Sequence, residues 1–310
     1  MRAGLENIPD RPEIFCEARF VITEVVLSAV LAAAVAGPAQ TPVPSATTEA
    51  PGQKGKETPS LEQEFLKNFL RDQKAIWTSP YHVREADAKW LVPLTAGTVA
   101  FFVADRRIGD EFAESSQLIR VGNAVSYAGS GYVVGGATAT FYLVGRFTDN
   151  ARARETGLLA AQAMLDTAIV GGAIKVITQR ARPDAGFTRS EFFTSGTSFP
   201  SGHSLNIWSF ASVLAHEYPD HRWVQITAYS TAMAVSAARV AAQRHYLSDV
   251  LVGGALGYAI GRYVYRTHQR LDRAGVTEPA GGSRLPWPSI AARAAPAAHE
   301  YGITLAWTVR

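Results

Sequence analysis

The sequence predicts an all-α protein: a bundle of about six core helices within residues 61–268, followed by a short C-terminal β-strand or hairpin. Three observations carry this expectation. Six apolar segments, near 90–104, 121–145, 157–178, 203–216, 223–242 and 249–266, are separated by short polar loops. Ahead of them, residues 62–77 place Phe65, Leu66, Phe69, Leu70 and Ile76 near helical spacing on an otherwise charged stretch, which reads as an amphipathic lead-in helix. Only the last ten residues change period. There Tyr301, Ile303, Leu305, Trp307 and Val309 alternate with smaller or more polar neighbours, a strand signal whose candidate partner is 286–293.

Composition sets the outer limits. A chain of 310 residues has room for one core of roughly 200 residues with tails. Charged residues make up 18% and the mean hydropathy is +0.00, which excludes a chain made mostly of long membrane spans. The 26 Gly and 16 Pro are too few for a collagenous or wholly disordered chain. A net charge of +3 is a mild excess and gives no argument for nucleic acid. Cys16 is the one cysteine, so neither an intrachain disulfide nor a cysteine-built metal site is available.

In chain order, residues 1–36 come first. Their apolar run at 25–36 ends in Ala34-Val35-Ala36, which reads as the core and cleavage site of a secretory signal or as an N-terminal apolar segment. Residues 37–60, rich in Pro, Thr, Ser and Gly, read as a disordered linker, and 269–310 as a tail ending in the strand. Within 61–268 most apolar segments are shorter than the ~20 residues a bilayer requires or are diluted by Gly, Ser, Thr and Tyr. If the signal is cleaved and all six segments span, Arg146, Arg152, Arg154, Arg222, Arg262, Arg266, Arg270 and Arg273 fall outside, against the positive-inside rule. The balance favours a periplasm-facing domain of the cell envelope, exported or membrane-associated. The sequence sets no oligomeric state.

Three clusters carry chemistry. Lys175 and Arg182 lie seven apart, on one face at a helix end that Pro183 stops; alone, they are two solvated cations. Ser198-Phe199-Pro200-Ser201-Gly202-His203 reads as a helix entrance whose amides face outward, an anion site or merely a cap. Arg239 is followed by His245 and Asp249, four apart, so that the carboxylate can meet the imidazole on one helical face. Each cluster is commonplace by itself. Together they supply three cations, a set of helix-entrance amides, two histidines and an orienting carboxylate, which is the equipment of metal-free phosphoryl transfer.

Lys-x6-Arg-Pro, Pro-Ser-Gly-His and Arg-x5-His-x3-Asp, in this order, resemble the signature of the type 2 phosphatidic acid phosphatase and vanadium haloperoxidase superfamily. The resemblance covers about residues 85–268. It implies that Lys175, Arg182 and Arg239 bind phosphate with help from the backbone of Ser201 and Gly202. It further implies that His245 is the nucleophile that forms a phosphohistidine, Asp249 its orienter, and His203 the general acid and then base. It implies no metal and no cofactor. In one place the sequence departs from the pattern: the third motif usually begins Ser-Arg, and here Ala238 precedes Arg239, which removes a hydroxyl near the phosphate site.

The function expected is therefore a metal-independent phosphatase of phosphomonoesters or pyrophosphates, acting on a phosphate-containing and in particular lipid-linked substrate. Phe187, Phe192, Phe193 and Phe199 near the anion site would suit a lipid tail, or they simply pack the loop down. The alternatives are a vanadate-dependent haloperoxidase using the same cradle, with vanadate as its cofactor, and a non-catalytic phospholipid-binding envelope protein. His82, His216, His221, His268 and His299 match no pattern and read as surface or capping residues. Asp166, inside the third apolar segment, reads as functional in a membrane span and as a paired core residue in a soluble bundle.

Overall fold

A computed structural model describes residues 60–113, 115–185, 191–269, 289–295 and 300–306. The expected signal segment lies outside these residues, as does the linker up to residue 59. Eight α-helices occur among them: α1 Leu61–Thr78, α2 Ala88–Ala113, α3 Ser116–Ser126, α4 Gly131–Phe147, α5 Ala151–Thr178, α6 Gly202–Glu217, α7 Arg222–Ala241 and α8 Leu247–His268. The chain is helical as the sequence predicts. The difference is that the apolar segment 121–145 forms two helices. Ser130 takes an extended conformation and its side chain accepts from the Val133 amide, so it caps a new helix in mid-segment. A Cβ on the preceding Gly129 would run into Val235 and His203, so the break also lets this turn sit close against α6 and α7.

The starts of α1, α5 and α6 are written in the sequence. Ser60 and Gln63 form a reciprocal capping box on α1, Asn150 accepts from Ala153 at the start of α5, and Ser201 accepts from Ser204 at the start of α6. Helix α5 ends where Gln179 turns left-handed at φ 45°. Phe141, Leu159, Val213, Val235 and Val264 are buried where α4 to α8 meet. Glycines bring the helix axes together. At Gly253, Gly257 and Gly261 of α8 a Cβ would collide with the carbonyl oxygens of Ser201, Leu205 and Ser209 on α6. Helices this close fix one another's axial register, and so place Ser201 of α6 against Asp249 of α8.

The lead-in helix α1 is held by polar groups. Asp72 is fully buried, accepts from Gln162 of α5, and accepts from Nε2 of His268 at 2.8 and 2.9 Å. Gln73 donates to Asp166 at 2.8 Å, and Asp166 is itself fully buried, so it is a paired core residue here. His268 is thereby corrected from a surface residue to a buried one. Its helix-end position disguised it, because the partner carboxylate lies 196 residues away in sequence.

At the C-terminal end, β1 Ser289–Ala295 and β2 Glu300–Ala306 form an antiparallel hairpin in which Ile290 faces Leu305 and Arg293 faces Gly302. The strand expected at the terminus therefore has the partner expected for it, displaced by a few residues.

Candidate active site

Four helix ends meet at one end of the bundle: the C-termini of α5 and α7 and the N-termini of α6 and α8. They bring the three sequence clusters together. His203 lies within electrostatic reach of Arg239, His245, Arg182 and Lys175, so the cations and both histidines share one cradle. Lys175 donates to the carbonyls of Thr197 and Pro200, each at 2.6 Å, which ties it to the α6 entrance. Arg182 donates to the Thr197 hydroxyl at 3.3 Å, and Arg239 to the Ser126 hydroxyl at 3.2 Å. The Nε atoms of Arg182 and Arg239 are buried and have no hydrogen-bond partner among the described residues. Buried guanidinium donors without acceptors are costly unless an anion completes them.

His245 stands in the turn between α7 and α8, after Gln243 has reversed the chain at φ 57°. It is 2% exposed, and its Nδ1 donates to the Ser198 carbonyl at 2.8 Å. Asp249 Oδ2 is 3.6 Å from the same nitrogen, beyond hydrogen-bond range, so the direct orienting contact comes from a backbone carbonyl with the carboxylate behind it. His245 also precedes α8 and does not ride on its face. With the proton on Nδ1, Nε2 carries the lone pair. Burial, opposed by Asp249, pushes the ring down to about 4, which keeps it neutral and nucleophilic at ordinary pH.

The helix entrance differs from the expectation in one respect. The Ser201 amide donates to the Asp249 carbonyl at 3.1 Å and is not available to an anion. Ser201 takes the amides of Ser204 and Leu205 with its side chain and carbonyl, which leaves those of Gly202 and His203 as the first-turn donors without an intrahelical acceptor. The Ser201 amide is thus occupied, and the first-turn amides open to an acceptor are those of Gly202 and His203.

Sequence reasoning missed the support beneath the cradle. Arg180 is completely buried and donates to Asp105 at 2.7 Å, to Asp249 at 2.5 Å and to Ser248 at 2.7 Å. Its guanidinium lies 4.9 Å from the Phe102 ring, 5.0 Å from Phe192 and 4.3 Å from Tyr246. Asp249 also accepts from Ser198 at 2.5 Å and from the Tyr246 amide at 2.9 Å. Burial alone would raise its pKa, but His245, Arg180 and Ser198 hold it below the usual carboxylate range. Phe192 and Phe199 pack on Phe102, with ring centroids 5.6 and 5.9 Å away, so both hold the loop down on α2. Phe193 is 77% exposed, and Phe187 lies outside the described residues. Arg180 sits between Lys175 and Arg182 in sequence, but nothing local marks which of three nearby cations turns inward. Among the described residues no group of His, Cys, Asp and Glu is placed to hold a metal ion.

Residues 156–273, which contain all three clusters, match the PAP2 superfamily model. Over this segment, which is less than half of the chain, the sequence is similar to the type 2 phosphatidic acid phosphatase superfamily. It is 25% identical over 202 residues to the lipid A 1-phosphatase of Porphyromonas gingivalis, covering 60% of this chain and 40% of that protein. The chain thus spans under half the length of this relative. Two solved structures are similar in outline. The transmembrane PAP2-type phosphatidylglycerolphosphate phosphatase of Bacillus subtilis has 22% identity, covers 67% of this chain and 97% of its own, and gives a TM-score of 0.45. LpxE of Aquifex aeolicus has 21% identity, covers 52% and 92% respectively, and gives 0.42. The superfamily segment begins inside α5, so α1 to α4, including Ser126 and Asp105 of the site, lie ahead of the matched region.

Proposed function

We propose that this chain is a metal-independent phosphatase of a lipid-linked phosphomonoester or pyrophosphate, acting from the cell envelope through a phosphohistidine. The observation that carries the reading is a neutral, buried His245 with Nδ1 committed to Ser198, set among cations whose Nε donors have no partner among the described residues.

Lys175, Arg182, Arg239 and the amides of Gly202 and His203 hold the non-bridging oxygens. His245 Nε2 attacks phosphorus, the N–P bond forms and the P–O bond to the leaving group breaks. His203 gives its proton to the departing oxygen. Water then attacks phosphorus while His203 takes a proton from it, the N–P bond breaks and inorganic phosphate leaves. Asp249 and Arg180 do not touch substrate; they fix the position of His245 and its surroundings.

A lipid substrate is supported by the lipid A 1-phosphatase relative and by the outer surface of the bundle. Val92 and Val103 of α2, Leu165 and Ile177 of α5, and Ile226 and Met233 of α7 are all exposed. Helix α5 is, among the described residues, the one long and apolar enough to cross a membrane. Such a surface suits membrane association.

The test is phosphate release in EDTA from phosphatidic acid, a polyprenyl pyrophosphate and an aryl phosphate, comparing wild type with His245→Ala. The expected outcome is metal-independent turnover on a lipid substrate that His245→Ala reduces by at least about 10³-fold, as for loss of a covalent nucleophile. Turnover that survives the substitution would remove the phosphohistidine. Inactivity on all three substrates combined with vanadate-dependent halide oxidation would replace the reading by a haloperoxidase.

A further inference from the structure

The mechanism above leaves an exposed cation at the rim of the cradle without a role. Arg244 immediately precedes His245, and its side chain is 42% exposed. Its Nη1 donates to Asp184 at 2.6 Å and its Nε to Asn123 of α3 at 3.4 Å. Asp184 follows directly on Arg182 and Pro183. Both halves of this ion pair therefore hang from the cradle itself, one from a phosphate-binding arginine and the other from the nucleophile. Arg239, inside the cradle, experiences both Arg244 and Asp184.

Helix α3 fixes the side on which Arg244 stands. Its Asn123 accepts from Arg244, its Ser126 accepts from Arg239, and Gly129 in the next turn lies against the backbone of His203. The Arg244 guanidinium is thus held at the rim of the cradle, between α3 and the Arg182 loop, with Arg239 beside it. In an in-line displacement the leaving group departs opposite His245, toward the acid His203. When the leaving group is itself a phosphate, negative charge accumulates on it as the P–O bond breaks.

We propose that Arg244 is a specificity residue that receives the second anionic group of a diphosphate, the phosphate next to the one being cleaved, and that Asp184 is the counter-ion this group displaces. The inference rests on the phosphohistidine reading. A half-exposed ion pair is weakly held and readily exchanged, whereas a guanidinium meets a phosphate with two parallel donors. A monophosphate ester presents no second anion at this rim, so Arg244 has nothing to bind when such a substrate is cleaved. Arg244 then adds selectivity without belonging to the nucleophilic machinery.

The experiment uses the full chain in detergent with EDTA, and farnesyl monophosphate and farnesyl diphosphate as matched probes. The quantity read is the ratio of kcat/KM for diphosphate to that for monophosphate. Arg244→Gln is expected to lower this ratio about tenfold, Arg244→Lys to restore part of it, and Asp184→Asn to raise it about twofold or more, as expected when a competing counter-ion is removed. A ratio unchanged within about twofold in Arg244→Gln would overturn the proposal. So would a parallel fall in both Arg244→Gln and Asp184→Asn, which would make the pair a loop brace. Wild type that cleaves both probes, with a ratio that Arg244→Gln leaves unmoved, overturns only this inference. Wild type that releases phosphate from neither, nor from any other ester, removes the functional reading on which it stands.

Discussion

In the phosphohistidine mechanism proposed above, His203 and His245 impose opposite proton requirements on one small space. Before substrate binds, burial first, and then Arg239, His245, Arg182 and Lys175, push His203 down to about 3. At neutral pH it is therefore an imidazole without the proton that a general acid must give. A phosphate bound among the same cations reverses that pressure, and its monoanion brings the missing proton with it. Under the proposed mechanism the productive complex holds one proton shared between the phosphate and His203, while His245 holds none on Nε2. The signs follow. Raising the pH above the substrate's second pKa, about 6, removes the shared proton, and His203 cannot resupply it because its own pKa is lower still. Lowering the pH through about 4 protonates His245 and removes the nucleophile. The expected kcat/KM profile is a bell between about 4 and about 6, measured on a monophosphate from pH 3.5 to 8. A plateau extending to pH 8 would show that His203 does not supply the proton.

Helices set these side chains only because α6 and α8 lie so close together. Gly253, Gly257 and Gly261 form a stripe on α8, and the Ser201 amide donates to the Asp249 carbonyl across it. Gly257→Leu would drive a side chain into the Leu205 carbonyl region and part the helices; overpacking of this kind costs about 1–3 kcal/mol. Activity is expected to fall more steeply than stability, because Ser201 and Asp249 lose register together. Thermal unfolding and kcat measured on one preparation check this; a stable variant with full turnover would show that the close approach is not what sets the site. The stripe was visible in the sequence only as glycine dilution of an apolar segment. Helix content, the lead-in helix and the terminal strand follow from periodicity, which is local. The site residues are legible because three motifs name them, and their shared electrostatic surroundings accord with that naming. Asp105 under Arg180, Asp72 under His268 and Ser126 beside Arg239 were not legible, since each pair is separated by between 75 and 196 residues and no spacing rule reaches so far. Ser126 matters in particular. A hydroxyl at position 238 is absent, yet Arg239 finds one on a helix ahead of the superfamily segment.

Across the bundle, polarity is distributed against the habit of water-soluble domains. Asp72, Asp105, Asp166, Arg180 and Asp249 are fully or almost fully buried, while Val103 is 82% exposed, Phe147 81% and Val176 72%. Water-soluble domains seldom expose large apolar side chains on so many helices, and close helix contacts through small residues are the packing used where lipid replaces water. Helix α1 adds charge to this surface: Lys67, Arg71 and Lys74 are exposed there beside the exposed Leu66 and Leu70, so that side can also meet charged headgroups. Two modes of membrane contact therefore compete, one apolar and one electrostatic, and they answer differently to salt. At 1 M salt the screening length falls to about 3 Å and attraction between exposed lysines and anionic headgroups is largely lost, while apolar burial persists. The purified full chain, mixed with phosphatidylethanolamine and phosphatidylglycerol vesicles, is expected to float with them in a density gradient both at 0.1 M and at 1 M salt. Release at 1 M salt would assign the contact to the basic flank of α1. A chain that stays at the bottom of the gradient at both concentrations, monodisperse without detergent, would mean that the exposed apolar helices do not face lipid.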